Sequence, residues 1–173
     1  MKQSLDAPNR AGLPDVLQFM QLLWAVAHGL ETTSKRMNAS LGVTGPQRLV
    51  LRMVGLFPGL SAKELAATLH IHPSTLTGVL QRLVAQRLLL RVGDPDDRRR
   101  AALHLTAHGQ RANNLRKDTV EAGIAAVLAR VKDTDRRATQ RVLAQLAVAL
   151  GRSSARGTAA TRSEQKRRPT TRR

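Results

Sequence analysis

The sequence predicts a mainly α-helical fold with one small β-hairpin, in which two short helices and the hairpin are flanked by long helices. Three observations support this prediction. Apolar residues recur at spacings of three and four over long stretches. Two motifs of the capping-box type mark helix starts in the middle of the chain. Two short apolar runs separated by a strongly charged turn then indicate a pair of antiparallel strands.

The first long helix is predicted over residues 15–41, because a single apolar stripe runs along that stretch. Its members are Val16, Met20, Leu23, Ala27, Leu30, Ser34, Met37 and Leu41. Residues 1–14, which include two prolines and a glycine, are expected to form a loose arm. They contain no apolar run of signal-peptide length, so a cytoplasmic protein is expected.

The next helix is predicted to begin after Thr44. The Thr44 hydroxyl and the Gln47 side chain have the spacing at which both can bond to free amide groups of a helix N-terminus. Pro58 and Gly59 are expected to end this helix after about Phe57.

Two short helices in close succession are predicted to form a helix-turn-helix. Ser61 and Glu64 form the second capping box, which opens a helix reaching about Leu69. Pro73 is well placed as the first residue of the following helix, which is predicted over about 73–86. Its apolar face comprises Leu76, Leu80 and Leu83, and its outward side comprises Ser74, Thr75, Thr77, Gly78, Gln81 and Arg82. The outward side is small and polar, as a helix that enters a DNA groove requires.

A two-stranded hairpin is predicted from the apolar runs 88–92 and 101–105 and the charged turn between them. Thr106 is then expected to cap a long helix over about 107–131, and a last amphipathic helix is expected over about 134–150. From Gly151 onward, Ser, Thr, Ala, Gly and Arg replace the apolar pattern. Residues 151–173 are therefore predicted to form a disordered basic tail.

The charge of the chain favours a polyanionic partner. Its 173 residues include 29 Lys and Arg against 12 Asp and Glu, a formal net charge of +17, and eight of the basic residues lie in the predicted tail. The body of the chain is thus basic in its own right. Aromatic residues make up only 2%, which counts against RNA-binding modules that stack unpaired bases on aromatic rings. Double-stranded DNA is the expected partner.

Composition also excludes several classes of protein and of site. No run approaches the roughly 18 apolar residues of a membrane span, and the absence of cysteine excludes disulfides, thiol chemistry and Cys-based zinc sites. No phosphate-binding loop, dinucleotide glycine pattern or nucleophile–base pair appears, so neither an enzyme nor a cofactor is expected. His104 and His108 are four residues apart, but His104 precedes the helix cap at Thr106, so no metal site is expected.

One ordered pattern of residues extends from Thr44 through the charged turn. It reads Thr44…Gln47…Val50-Leu51, Pro58-Gly59-Leu60-Ser61…Glu64-Leu65-Ala66, Pro73-Ser74-Thr75-Leu76-Thr77…Arg82-Leu83 and Asp94-Pro95-Asp96-Asp97-Arg98-Arg99-Arg100-Ala101-Ala102-Leu103-His104-Leu105-Thr106…Gly109. In this pattern, residues 44–109 closely resemble the MarR family of bacterial transcription regulators. The resemblance implies a MarR-type domain over 15–150, with a winged helix-turn-helix core at about 44–106 and long dimerisation helices on either side.

The resemblance further implies an obligate homodimer on a pseudopalindromic operator. Two-fold symmetry would place the two recognition helices about one DNA turn, roughly 34 Å, apart. The implied function is that of a sequence-specific regulator of transcription, a repressor that occludes its promoter. An architectural DNA-binding protein with little sequence preference is the alternative, which the basic tail would suit.

The candidate DNA-binding residues lie on the recognition helix and on the hairpin, or wing. They are Ser74, Thr75, Thr77, Gln81, Arg82, Asp97, Arg98 and Arg99. Asp97 and Arg99 match the family's Asp-x-Arg motif, which implies that Arg99 enters the minor groove and that Asp97 holds it in place. The alternatives are a solvated charged turn at the wing and an ordinary exposed face on the helix.

Two residues depart from the family pattern. Gly78 stands where many relatives carry a basic residue, so one phosphate contact is expected to be missing. Arg87 stands where relatives often have the glycine that ends the recognition helix with a positive φ, so a different exit from the helix is expected here.

The resemblance also implies a site for a small aromatic or phenolic effector. Thr77, Arg82 and Arg91 match pocket positions of some relatives, and an arginine suits a carboxylate. Trp24 and His28, one turn apart on the first helix, are the remaining candidates. The alternatives are that the two arginines serve DNA or a surface pair only, and that Trp24 and His28 pack in the dimer.

Overall fold

The computed structural model describes residues 13–93 and 101–165, with side chains described as far as residue 151. Seven helices and two strands occur in this part of the chain. They are α1 (Asp15–Leu41), α2 (Gly45–Leu56), α3 (Ala62–Thr68), α4 (Pro73–Ala85), β1 (Leu89–Gly93), β2 (Ala101–Leu105), α5 (Ala107–Asn114), α6 (Val120–Leu128) and α7 (Asp133–Gln165). The chain divides into a first unit that ends at Ile124 and a second unit that begins at Ala125. The predicted fold class, mainly α with a small β-hairpin, is confirmed.

The predicted starts of α2, α3 and α5 are confirmed by their caps. The Thr44 amide donates to Gln47 Oε1 at 2.8 Å, and the Gln47 amide donates to Thr44 Oγ1 at 3.4 Å. Ser61 and Glu64 make the same reciprocal pair at 2.8 and 3.2 Å. Thr106 Oγ1 accepts from the Gly109 amide at 2.9 Å. Each side chain satisfies an amide that the helix cannot satisfy itself.

The single helix predicted over 107–131 is wrong, because the chain leaves the helix after Asn114 and re-enters it at Val120. Leu115 is extended, with φ −60° and ψ 138°, and Asp118 has φ 57°. Thr119 then restarts the helix, since its hydroxyl oxygen accepts from the Ala122 amide at 3.3 Å. The break has a tertiary cause, the buried Arg48 described below.

The end of the last helix also differs from the prediction. The structure continues α7 to Gln165, so residues 151–165 are helical, whereas the sequence predicted an end near 150 and disorder beyond. This stretch has no proline before Pro169 and contains Ala155, Ala159 and Ala160, which favour helix. Loss of apolar periodicity removes a packing face, but it does not by itself end a helix.

The core of the first unit lies where α2, α3, α4 and the hairpin meet. Its fully buried side chains are mostly leucines, and they include Met37 from the end of α1. The largest apolar members are Met37, Leu51, Leu65, Leu76, Leu80, Leu83, Leu89 and Leu103. These side chains fix α4 by one face and leave its other face outside.

The two strands pair antiparallel, from Leu89 opposite Leu105 to Gly93 opposite Ala101. The second strand is held on its other edge as well, where the Leu103 amide donates to the Leu60 carbonyl and the Gly59 amide donates to the Leu103 carbonyl, both at 3.0 Å. The hairpin is therefore attached directly to the segment that leads into α3.

No helix in the part of the chain that the structure describes is both long enough and apolar enough to cross a membrane.

Candidate nucleic-acid interface

Helices α3 and α4 form the predicted helix-turn-helix, joined by a turn at His70. His70 has φ 52°, and two backbone bonds close the end of α3: the His70 amide donates to Ala67 O and the Ile71 amide donates to Ala66 O, each at 3.2 Å. This pair of bonds is a Schellman motif, which satisfies carbonyls that the helix end leaves free. The turn thereby fixes the direction in which α4 leaves α3.

The start of α4 is capped by a side chain that the sequence analysis did not single out. The Ser74 amide donates to His72 Nδ1 at 3.3 Å, and Ser74 Oγ lies 2.7 Å from the same nitrogen. Pro73 is the first residue of the helix, as predicted. The N-terminal turn of α4 is therefore well ordered by its own residues.

All five α4 residues predicted to contact DNA have exposed side chains. They are Ser74, Thr75, Thr77, Gln81 and Arg82, while Leu76, Leu80 and Leu83 on the opposite face are buried. The Thr77 hydroxyl donates to the Pro73 carbonyl at 2.8 Å, which leaves its oxygen able to accept from a ligand. One helix thus carries an apolar face that anchors it and a polar face that is free to bind.

The exit from α4 corrects the expectation stated for Arg87. Arg87 itself takes the left-handed conformation, with φ 54°, so the helix ends as it would with glycine. The Leu88 amide donates to Leu83 O and the Arg87 amide donates to Val84 O, each at 2.9 Å, which again is a Schellman motif. The Arg87 carbonyl accepts from Thr106 Oγ1 at 2.6 Å, so the start of α5 supports this strained residue.

The wing strands lie directly after this exit. Arg91 on β1 is exposed, and β2 is held between β1 and residues 59–61. Asp97, Arg98 and Arg99, the wing residues predicted to contact DNA, lie outside the described residues.

The five candidate effector-binding residues do not line one pocket. Arg91 lines a groove of about 700 Å³ between α3 and the hairpin, together with Lys63 and Glu64. Thr77 and Arg82 are exposed on α4, and Trp24 and His28 are exposed on α1. None of these four lines the groove at Arg91.

Arg48 on α2 is the structural residue that the sequence analysis missed. Its side chain is 1% exposed, and its guanidinium donates to three carbonyls at the end of α5, those of Ala112, Asn113 and Leu115. It also donates to Glu121 Oε1 on α6 at 2.6 Å. In a longer α5 these carbonyls would accept hydrogen bonds from the next turn of the helix. Here they accept from the Arg48 guanidinium instead, which explains the break before α6.

Glu121 responds electrostatically to this contact. Partial burial alone would raise the pKa of its carboxyl group, but a backbone amide and the Arg48 guanidinium donate to it, and the net effect lowers its pKa below 4.5.

One feature of the sequence could have indicated the role of Arg48. The residue lies three positions before Leu51, on the apolar side of α2, where an unpaired cation would be unfavourable.

Large apolar side chains remain exposed on both long helices. On α1, in the first unit, Val16 is 70% exposed and Trp24 is 67% exposed. On α7, in the second unit, Leu150 is 65% exposed and Val148 is also exposed. Each helix therefore carries apolar surface that its own unit does not cover.

No group of three His, Asp or Glu residues within the described ranges could hold a metal ion. His104 lies on β2 and His108 lies on α5.

Helix α4 is anchored by its apolar face and is exposed and polar on the other, and it is followed by a hairpin that is hydrogen-bonded to Gly59 and Leu60. This arrangement defines a winged helix-turn-helix DNA-binding protein. Residues 41–100 match the family model described as "MarR family". The chain is 31% identical over 135 residues to the HTH-type transcriptional repressor Rv2887 of Mycobacterium tuberculosis (strain ATCC 25618 / H37Rv), a match that covers 78% of this chain and 97% of that protein. This chain belongs to the MarR family.

Solved structures share the fold. The MepR protein of S. aureus in complex with DNA has a TM-score of 0.65 and 17% identity, covering 76% of this chain and 97% of MepR. The PcaV transcriptional regulator from Streptomyces coelicolor, solved with its natural ligand, has a TM-score of 0.65 and 22% identity, covering 80% of this chain and 98% of PcaV. At these identities the likeness is one of fold.

Proposed function

We propose that this protein is a sequence-specific repressor of transcription, which binds double-stranded DNA as a homodimer on a pseudopalindromic operator. The observation that carries the proposal is the exposed polar face of α4, held from behind by Leu76, Leu80 and Leu83 and flanked by the wing. Membership of the MarR family and the likeness to a repressor over most of both chains support it. The protein acts in the cytoplasm, by binding rather than by catalysis.

The net charge of +17 supports a second candidate, an architectural protein that binds all DNA alike. Affinity for the DNA upstream of its own gene, compared with random DNA of equal length at physiological salt, distinguishes the two. A specific regulator prefers the upstream DNA by about 10³ or more. Equal affinities would favour the architectural protein.

Arg82 provides the residue-level test of where specificity lies. Arg82→Ala removes a donor from the exposed face of α4, so it should weaken operator binding more than random binding. Arg111→Ala is the matched control, because Arg111 is also an exposed arginine but lies on α5. If each variant loses affinity for operator and random DNA by the same factor, α4 is not the helix that reads the operator sequence.

Dimer formation covers the apolar side chains of α1 and α7 in this proposal. Two copies of one chain bury such faces in a self-complementary contact, which removes apolar surface from water. Trp24 and His28 belong to this contact or to an effector site beside it. Light scattering on the full chain should give a mass of twice 18.9 kDa. A monomer at micromolar concentration would contradict this part of the proposal.

A small aromatic or acidic effector is proposed to release the operator. The groove at Arg91 supports this step, since its volume of about 700 Å³ suits a small molecule and Lys63 adds a second cation. Benzoate should raise the melting temperature and weaken operator binding, whereas uncharged benzamide should not. Arg91→Met should abolish the benzoate effect. Equal responses to both compounds would exclude recognition of the carboxylate.

A further inference from the structure

Gly78 lies at the centre of α4 and is itself half-buried, between the exposed residues of the turns before and after it. It is one helical turn from Ser74 and Thr75 in one direction and from Gln81 and Arg82 in the other. It therefore shares a face with four of the five α4 side chains predicted to contact DNA.

Nothing in the described part of the fold requires glycine at position 78. A Cβ atom placed there meets no atom within 4 Å, whereas one placed on Gly109 would overlap the Leu88 carbonyl. The described glycines with positive φ are Gly42 and Gly59, so the backbone conformation of Gly78 suits any residue except proline. A glycine inside a helix is less stable than alanine, because it loses more backbone freedom on folding. Gly78 thus lowers the stability of α4, although the packing around α4 does not require a glycine there.

The neighbours of Gly78 show what its small size permits. Ser74 and Thr75 carry their hydroxyl groups directly on Cβ, so these groups reach base edges only when the α4 backbone is close to the DNA. A side chain at position 78 would stand between the helix and the groove and would hold both hydroxyls away. Glycine is the residue that allows a backbone to approach a ligand this closely.

We propose that Gly78 determines specificity, as the point where the α4 backbone packs directly against the edge of a base pair in the major groove. The operator is then selected partly by shape, since the base pair that faces Gly78 must fit against a bare helix. This inference rests on the proposed function, because it needs α4 to be the reading helix.

Gly78→Ala in the full-length protein tests the proposal. The added methyl group should raise the melting temperature by about 2–4 °C, because it restores helix propensity at an open position. It should lower operator affinity at least about tenfold, with random DNA changed by less than about twofold. Higher stability together with weaker operator binding excludes misfolding as the reason for the loss.

Gly123→Ala is the matched control, since Gly123 lies on α6 and a Cβ atom there also meets nothing within 4 Å. It should raise the melting temperature and leave both affinities unchanged. Operator affinity of Gly78→Ala equal to that of the unmodified protein overturns the proposal, while the proposed function stands. If Gly78→Ala lowers the affinities for operator and random DNA equally, Gly78 lies against phosphates rather than a base pair, and the proposal is again overturned. An unmodified protein without operator preference refutes the proposed function itself.

Discussion

Replacing Arg48 by methionine should destabilise the protein by about 2 to 4 kcal/mol, because it removes several hydrogen bonds from a charged donor, each of which contributes about 1.5–3 kcal/mol. Methionine keeps an unbranched side chain about as long as the aliphatic stem of arginine but donates no hydrogen bond. The variant removes the Arg48 donors from the carbonyls of Ala112, Asn113 and Leu115 and leaves Glu121 without its guanidinium partner. Weaker contacts remain, since Arg116 still donates to the Asn113 and Leu115 carbonyls. Glu121 contributes the smaller share, because its side chain is 35% exposed and water replaces part of the contact. Most of the loss therefore comes from the hydrogen bonds to the carbonyls, of which those to Ala112 and Asn113 are buried.

Urea unfolding followed by far-ultraviolet circular dichroism measures this effect as a shift of the transition midpoint. Arg52→Met is the matched control, since Arg52 lies one turn further along α2 and is only half-buried. It donates to the Asn113 carbonyl at 3.3 Å and to Asn113 Oδ1 at 3.2 Å. It should cost about 1 kcal/mol. If Arg48→Met costs no more than Arg52→Met, Arg48 does not hold the break between α5 and α6.

Three further predictions concern pH, backbone strain and the wing. The pKa of Glu121 is lowered in the folded state, so ionised Glu121 stabilises the fold fully above pH 4.5, and this stabilisation is lost as pH falls through the folded pKa. Below pH ~4.5 the urea midpoint of Glu121→Gln should therefore fall less steeply with pH than that of the unmodified protein. Arg87→Gly should stabilise the protein by about 0.5 to 1 kcal/mol in urea unfolding. The substitution removes the strain of a positive φ, about 1–2 kcal/mol, while the greater backbone entropy of glycine in the unfolded state offsets a smaller part of that gain. A loss of stability would refute this account of the helix end. Arg99→Ala should weaken operator binding by about 1 to 3 kcal/mol in a binding titration, with the dimer intact, and unchanged affinity would exclude Arg99 from the interface.

Local signals in the sequence predicted most of the DNA-binding unit. The caps at Thr44, Ser61 and Thr106 are bonds between residues three apart, so spacing and residue type were sufficient to place them. The same holds for α1, whose predicted bounds agree with Asp15–Leu41, and for the strands, which differ from the prediction by one residue at most. The exposed face of α4 followed from helical periodicity alone.

The features that the sequence did not reveal depend on contacts between distant residues or on backbone strain. The break after Asn114 contains neither glycine nor proline, and it arises because Arg48, over 60 positions earlier, binds the free carbonyls. Arg87 was expected to force a different helix exit, yet Thr106 and the Schellman bonds hold it at a positive φ. Local propensity indicated neither outcome.

Nuclease footprinting of the full chain on the DNA upstream of its own gene tests the central claim most directly, because it reports specificity and two-fold symmetry in one pattern. A dimer of winged helices should protect two half-sites related by a two-fold axis, with centres about one helical turn, roughly 34 Å, apart. Protection should be complete at protein concentrations that leave random DNA uncovered. Uniform protection along the fragment, or one unpaired half-site, would contradict the account of a dimeric protein that reads its operator through α4.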